Sequence, residues 1–107
     1  MSNKVYIPFL SIFKDAMLCG QKTCTTRTKQ YGQPKDTFEA WGATFEIREI
    51  ARLALKTVRD KFYYPEGFSS PAGFQAVWEQ LHPIRGFNPE QAVWTHSFRR
   101  TTEKNNT

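Results

Sequence analysis

The stretch Gly20-Gln21-Lys22-Thr23-Cys24-Thr25-Thr26-Arg27 sets an amine, three threonine hydroxyls and a guanidinium within six residues. Side chains of these types can carry a proton, offer a hydroxyl to an electrophile and hold negative charge. Thr23, Thr25 and Arg27 share strand parity, so they project to one side of a strand. Lys22 has the opposite parity. It joins them only from the junction before the pleat begins, or by its long flexible stem. A second stretch, Pro65-Glu66-Gly67-Phe68-Ser69-Ser70-Pro71, adds a carboxylate. Gly67 lets the chain turn sharply. Glu66 either complements the positive end of the helix that follows or is an acid fixed at the mouth of a pocket. Threonines are also ordinary strand residues, and Lys and Arg ordinary surface residues, so both stretches fit a purely structural role as well.

The elements that must position these groups can be read around them. Val5 to Leu10 is apolar and reads as an extended lead-in. Ser11 is placed to cap a short helix whose face is Ile12, Phe13, Ala16 and Met17, with Gly20 just past its end. Thr23 to Thr28 suits a strand. Residues 31–36 form a turn-rich loop, Thr37 to Trp41 a strand and Gly42-Ala43 a tight connection. Thr44 to Val58 is open between two readings. Phe45, Ile47, Ala51, Leu53 and Leu55 share strand parity, whereas Ile47, Ile50, Ala51, Ala54, Leu55 and Val58 make a helical stripe. Ser70 caps a helix with Pro71 at its first position, and Phe74, Val77, Trp78 and Leu81 form its buried stripe. Pro83 stops that helix. Arg85 to Pro89 is a loop, and Ala92 to Phe98 is a closing strand. The pattern is α+β, and a chain this small with several strands is expected to close a barrel that hides its edges.

The chain has 107 residues, of which 39% are hydrophobic and 15% aromatic. That is one domain, residues 1–107, with enough aromatic area for a core; residues 1–4 and 101–107 are expected to fray. Disorder is disfavoured by the aromatic content. No apolar run approaches a membrane span, and no basic-then-apolar secretion signal opens the sequence. Fifteen Lys and Arg against ten Asp and Glu give +5, a charge that favours anionic partners and is also common in small domains. Arg99, Arg100 and Lys104 form its basic cluster. Cys19 and Cys24 are too few for a disulfide framework and lack a second pair to complete a zinc site. They read as reduced thiols in a cytoplasmic protein. His82 and His96 are isolated, the first ending its helix and the second in a strand, so no metal site and no cofactor are expected.

Gly20-x-Lys22-x-x-Thr25-x-Arg27, followed by Glu66-Gly67-Phe68 and by Phe74 and Trp78 on a helix, resembles the ASCH superfamily. The resemblance runs from about Phe9 to Phe98. It implies a PUA-like fold, a small β-barrel with flanking helices and a cleft beside the barrel, and it resolves Thr44 to Val58 in favour of strand. Many members of that superfamily are regarded as RNA-binding modules. Compact bacterial members resemble amidohydrolases that remove the acyl group from N4-acetylcytidine and related N4-acylated cytosines with a Lys, Thr, Glu set. Matching the motifs carries those roles to Lys22, Thr25 and Glu66. The aromatic run Phe62-Tyr63-Tyr64 departs from the pattern of those enzymes.

Hydrolysing an amide on an exocyclic nitrogen needs a nucleophile, a proton shuttle and a group to hold the oxyanion. In one scheme Thr25 is the nucleophile, a neutral Lys22 is its base and Glu66 orients Lys22. In the other, Glu66 is the base and a charged Lys22 holds the oxyanion. The residues alone leave both open, because an ionised Glu66 raises the pKa of the lysine beside it. Neither scheme calls for a metal. Arg27, Thr23, Tyr63, Tyr64 and Phe68 are the expected substrate contacts, the tyrosines by stacking on a pyrimidine. The expected partner is a small modified cytidine. RNA, bound or cleaved as some relatives are thought to do, is the second candidate, and no membrane partner is expected.

Overall fold

The structure, a computed structural model, describes residues 2–101. Met1 and residues 102–107, including Lys104 of the basic cluster, lie outside the described residues. A 3-10 turn (Ser11–Phe13) leads into α1 (Lys14–Leu18), then come β1 (Cys24–Arg27), β2 (Thr37–Ala40), β3 (Ala43–Ala54), α2 (Leu55–Lys61), α3 (Pro71–Leu81) and β4 (Ala92–Arg100). The four strands form one antiparallel sheet in the order β1-β4-β3-β2. The class is α+β and the fold PUA-like. The sheet is a curled half-barrel, with β1 and β2 left as its two edges. The β2 edge is covered by the N-terminal segment. Lys4 bridges Thr37, and the Asn3 amide donates to Asp36 Oδ1 at 2.9 Å. At the other end the Thr101 amide donates to the Thr44 carbonyl.

One extra residue in β3 explains how a single sheet serves two cores. Ile47 pairs with Phe98 but Glu49 pairs with Ser97, so Arg48 is bulged out and the side-chain parity of β3 reverses there. Before the bulge, Phe45 and Ile47 join Phe38, Phe98, Phe13 and Met17 in one buried cluster. Beyond it, Leu53 faces the other way and packs with Val93 against Leu55, Val58, Phe74 and Trp78. The single strand parity expected from Phe45 to Leu55 therefore does not hold.

Three further expectations are corrected. β3 ends at Ala54, and Leu55 to Val58 is the start of α2, not strand. Leu55 and Val58 are both fully buried at helical spacing, and the first amides of α2 are satisfied by the carbonyls of Gln91 and Pro89. Ser11 lies inside the 3-10 turn instead of capping it; Leu10 is the N-cap and makes no side-chain bond. The β2–β3 connection is centred on Trp41 and Gly42, at φ 50° and 79°, with Ala43 already in β3. Two left-handed central residues match the twist that a tight hairpin needs.

The remaining elements follow their sequence signals. Gly20 sits past the end of α1 at φ 91°. Ser70 Oγ accepts from the Gly73 amide at 3.1 Å, and Pro71 opens α3. On α3, Phe74 and Trp78 are buried, but Val77 is half-buried and Leu81 is 52% exposed. The outer half of the expected stripe lines a cleft instead of entering the core.

Candidate active site

Lys22 reaches the site from the turn between α1 and β1. Its amide donates to the Ala16 carbonyl at 2.9 Å, which folds the chain back on α1 and sets the lysine just before the pleat begins. The Glu66 loop is wound by successive backbone bonds from Phe62, Glu66, Gly67 and Phe68. It is tied to β1 because the Pro65 carbonyl accepts from both the Thr23 and Cys24 amides, at 2.7 and 3.1 Å. Gly67 has φ 105°, and a Cβ there would lie 3.1 Å from the Phe13 ring and 3.3 Å from Lys22 Cδ. Only glycine allows both the turn and this close approach.

Lys22 and Glu66 are 2% and 4% exposed. Lys22 Nζ donates to the Cys24 carbonyl at 2.9 Å and the Glu66 carbonyl at 2.6 Å, and lies 3.6 Å from Glu66 Oε1. It also stands 4.4 Å from the centroid of the Phe13 ring. Burial pushes the Lys22 pKa below its ordinary value, and the Glu66 carboxylate only partly offsets this. Glu66 Oε2 accepts from Thr26 Oγ1 at 2.6 Å and from Cys24 Sγ at 3.5 Å. Burial, reinforced by that carboxylate, pushes the Cys24 thiol up, so it stays protonated. Both cysteines are free thiols. The charged side chain facing Glu66 is Lys22.

Thr25 and Thr26 pair with His96 and Thr95 of β4, so they point to opposite faces of β1. Thr26 meets Glu66, whereas Thr25 Oγ1 accepts from Arg27 Nη1. Because β1 is an edge strand, side chains from both of its faces line the cleft beside it. Arg27 also donates to the carbonyls of Pro8, at 2.6 Å, and Thr26, at 3.1 Å, and lies over the Phe9 ring. Burial lowers its pKa. His96 Nε2 accepts from the Tyr31 amide at 2.9 Å, so Nδ1 carries the hydrogen that faces the Thr25 carbonyl at 3.2 Å. Burial also lowers the His96 pKa, so it acts as a neutral strut under Thr25.

The cleft has a volume of about 400 Å³. Lys22, Thr25, Thr26, Arg27 and Glu66 make its polar end, and Phe9, Phe13, Phe68 and the α3 residues Phe74, Val77, Trp78 and Leu81 its apolar walls. Of the residues expected here from sequence, Lys22, Thr25, Glu66, Arg27 and Phe68 line it. Thr23, Tyr63 and Tyr64 do not. Thr23 precedes the pleat and is exposed, Tyr63 packs against the α2–α3 core, and Tyr64 is 59% exposed. Thr26, Phe9 and Trp78 were not anticipated. Thr26 shares the parity of Lys22, a signal already present in the motif. Among the described residues no group of three His, Cys, Asp or Glu is placed to hold a metal ion, and no helix is long and apolar enough to cross a membrane.

The fold has clear relatives among solved structures. An ASCH domain from Lactobacillus crispatus JV V101 superposes with a TM-score of 0.72 at 14% identity, over 92% of this chain and 79% of its own. The hypothetical protein PH0355 matches with a TM-score of 0.70 at 14% identity, over 94% of this chain and 100% of its own. A DUF984 protein from Enterococcus faecalis V583 gives 0.67 at 14% identity, over 94% and 76%. No family model and no curated protein matches the sequence. The chain thus has the fold of an ASCH domain.

Proposed function

We propose that this protein is an amidohydrolase that removes the acyl group from N4-acetylcytidine and related N4-acylated cytosines. The observation that carries this reading is the buried Lys22–Glu66 pair at the polar end of an aromatic-walled cleft. A flat pyrimidine suits such walls, each base–aromatic stack contributing roughly 1–3 kcal/mol. The Lys, Thr, Glu set of the amidohydrolase resemblance falls on residues that all line this one cleft.

In the proposed reaction, Thr25 Oγ attacks the acyl carbon and its proton passes to neutral Lys22. The lowered pKa of Lys22 supports this role, since the free amine is then accessible nearer neutral pH. The tetrahedral oxyanion forms beside Arg27, whose guanidinium already contacts Thr25 Oγ1. Collapse breaks the carbon–N4 bond as Lys22 returns the proton to N4, releasing cytidine and leaving the acyl group esterified to Thr25. Water then attacks that ester with Lys22 again as base, giving the free carboxylic acid and restoring Thr25. Glu66 is the anion that holds Lys22 in place and balances its charge when protonated.

The test compares Lys22→Ala, Thr25→Val and Glu66→Gln with the wild type in conversion of N4-acetylcytidine to cytidine. Folded Lys22→Ala is expected to lose about 10²–10⁴-fold in kcat/KM, the range for loss of a proton-transfer group, and folded Thr25→Val and Glu66→Gln are expected to lose activity with it. Variants that turn over at the wild-type rate contradict the assignment.

A further inference from the structure

The α3 wall of the cleft is a ladder of rings. Phe74, Trp78 and His82 follow one another at a spacing of four residues, and all three line the cleft. The Phe74 and Trp78 rings lie 6.0 Å apart and within 21° of parallel, and those of Trp78 and His82 4.2 Å apart and within 26°. Phe74 has no polar side-chain atom, and Trp78 Nε1 is buried. His82, which is half-buried, is therefore the polar group that this wall presents to a ligand. Every other polar atom of His82 is committed. Its amide donates to the Trp78 carbonyl at 3.0 Å, and its carbonyl accepts from the Gly86 amide at 2.7 Å. Nδ1 lies 2.9 Å from the Trp78 carbonyl. A carbonyl only accepts, so Nδ1 carries a hydrogen and donates it. Nε2 is left without a partner among the described hydrogen bonds, on a ring already held in place. Such a group binds a ligand with little further loss of freedom. A hydroxyl both gives and accepts, so it pairs with Nε2 whether or not that nitrogen carries a hydrogen.

The position of His82 selects which part of a ligand it meets. Phe13, the ring beneath Lys22 Nζ, touches Phe68, and Phe68 touches Phe74. His82 lies eight residues past Phe74, about 12 Å along the helix axis at 1.5 Å per residue. It thus stands at the end of the wall remote from the Lys22–Glu66 pair. An N4-acylcytidine carries its acyl amide on C4 and its ribose on N1, directly across the pyrimidine ring. With the acyl carbon at Thr25, the ribose is directed away from the polar end of the cleft. We propose that His82 Nε2 binds a ribose hydroxyl and makes the cleft select N4-acylated nucleosides over N4-acylated bases. The inference rests on the amidohydrolase reading and names the substrate class of that same site.

The experiment compares N4-acetylcytidine with N4-acetyl-1-methylcytosine, which has the same ring and amide but no hydroxyl, in the wild type and in His82→Phe. This variant keeps a ring against Trp78 and removes Nε2. In the wild type the KM for the nucleoside is expected to be lower by about 3–10-fold, the range for one neutral hydrogen bond, with similar kcat. His82→Phe is expected to raise the nucleoside KM by that factor and to leave the methylated base unchanged. A wild type without preference for the nucleoside overturns the proposal, and decides it alone should His82→Phe not fold. A preference that survives in folded His82→Phe also overturns it, and transfers the ribose to Thr28 or Tyr31, which line the same cleft. If neither compound is turned over, the amidohydrolase reading falls. The Kd values of cytidine and 1-methylcytosine, measured by NMR titration, then decide the role of His82 by the same ratios, and equal values overturn it.

Discussion

Lys22 makes the pH dependence of this site predictable in sign. Burial disfavours its ammonium form, so its folded pKa lies below the 10.5 of free lysine. In the proposed reaction the neutral amine is the form that takes the proton. Activity is therefore expected to rise with pH along a limb whose midpoint lies below 10.5, the ordinary value for lysine. A limb at or above that value contradicts Lys22 as base. The same shift has a cost for folding. Below its folded pKa Lys22 is a buried charge, and between that value and 10.5 the unfolded chain binds more protons, so stability contributed at this position rises with pH through that window. The pair is also expected to behave as one unit. Lys22→Met leaves a buried carboxylate without its cation and should cost about 3–5 kcal/mol in urea unfolding. Adding Glu66→Gln removes the stranded charge, so the double variant should be less destabilised than the sum of the two. Strict additivity contradicts the coupling.

Two short elements separate site geometry from stability. Gly67 holds a left-handed turn with the Phe13 ring and the Lys22 stem against its missing Cβ. Gly67→Ala is expected to cost about 1–2 kcal/mol for the backbone conformation and to displace Lys22, lowering kcat by more than the loss of folded protein explains. Ser70→Ala removes only the α3 cap and is expected to cost about 1 kcal/mol with kcat unchanged, as measured by thermal unfolding beside steady-state rates. These elements also show what the sequence reveals. The α3 boundary was legible because a cap, a proline and a helical stripe coincide within Ser70 to Leu81. The change from strand to helix at Leu55 was not, because both periodicities run through that position and the bulge at Arg48 reverses the parity on which the strand reading relied. Lys22 and Glu66 were legible from their motifs. The Thr26–Thr95 contact joins residues 69 apart across two strands, and no local pattern encodes it. Tyr63 and Tyr64 were misplaced for a related reason, since aromatic residues serve core, surface and cleft alike in this chain.

At the scale of the molecule, a half-barrel with an open β1 edge gives the cleft its position, and the two cores hold its opposite walls. The net charge of +5 is not needed to attract a neutral nucleoside. The kcat/KM for N4-acetylcytidine is therefore expected to change little between low and high salt, because no counterions are released on binding. A steep fall with salt would point instead to a nucleic-acid backbone as the ligand. Amide hydrolysis is tested most directly by the progress curve of the wild-type protein with N4-acetylcytidine, followed by the ultraviolet change and by product separation. Cytidine and acetate are expected in equal amounts over many turnovers, at a rate abolished in Lys22→Ala. Unchanged substrate after prolonged incubation with the folded protein, or turnover that survives Lys22→Ala, would contradict the amidohydrolase reading.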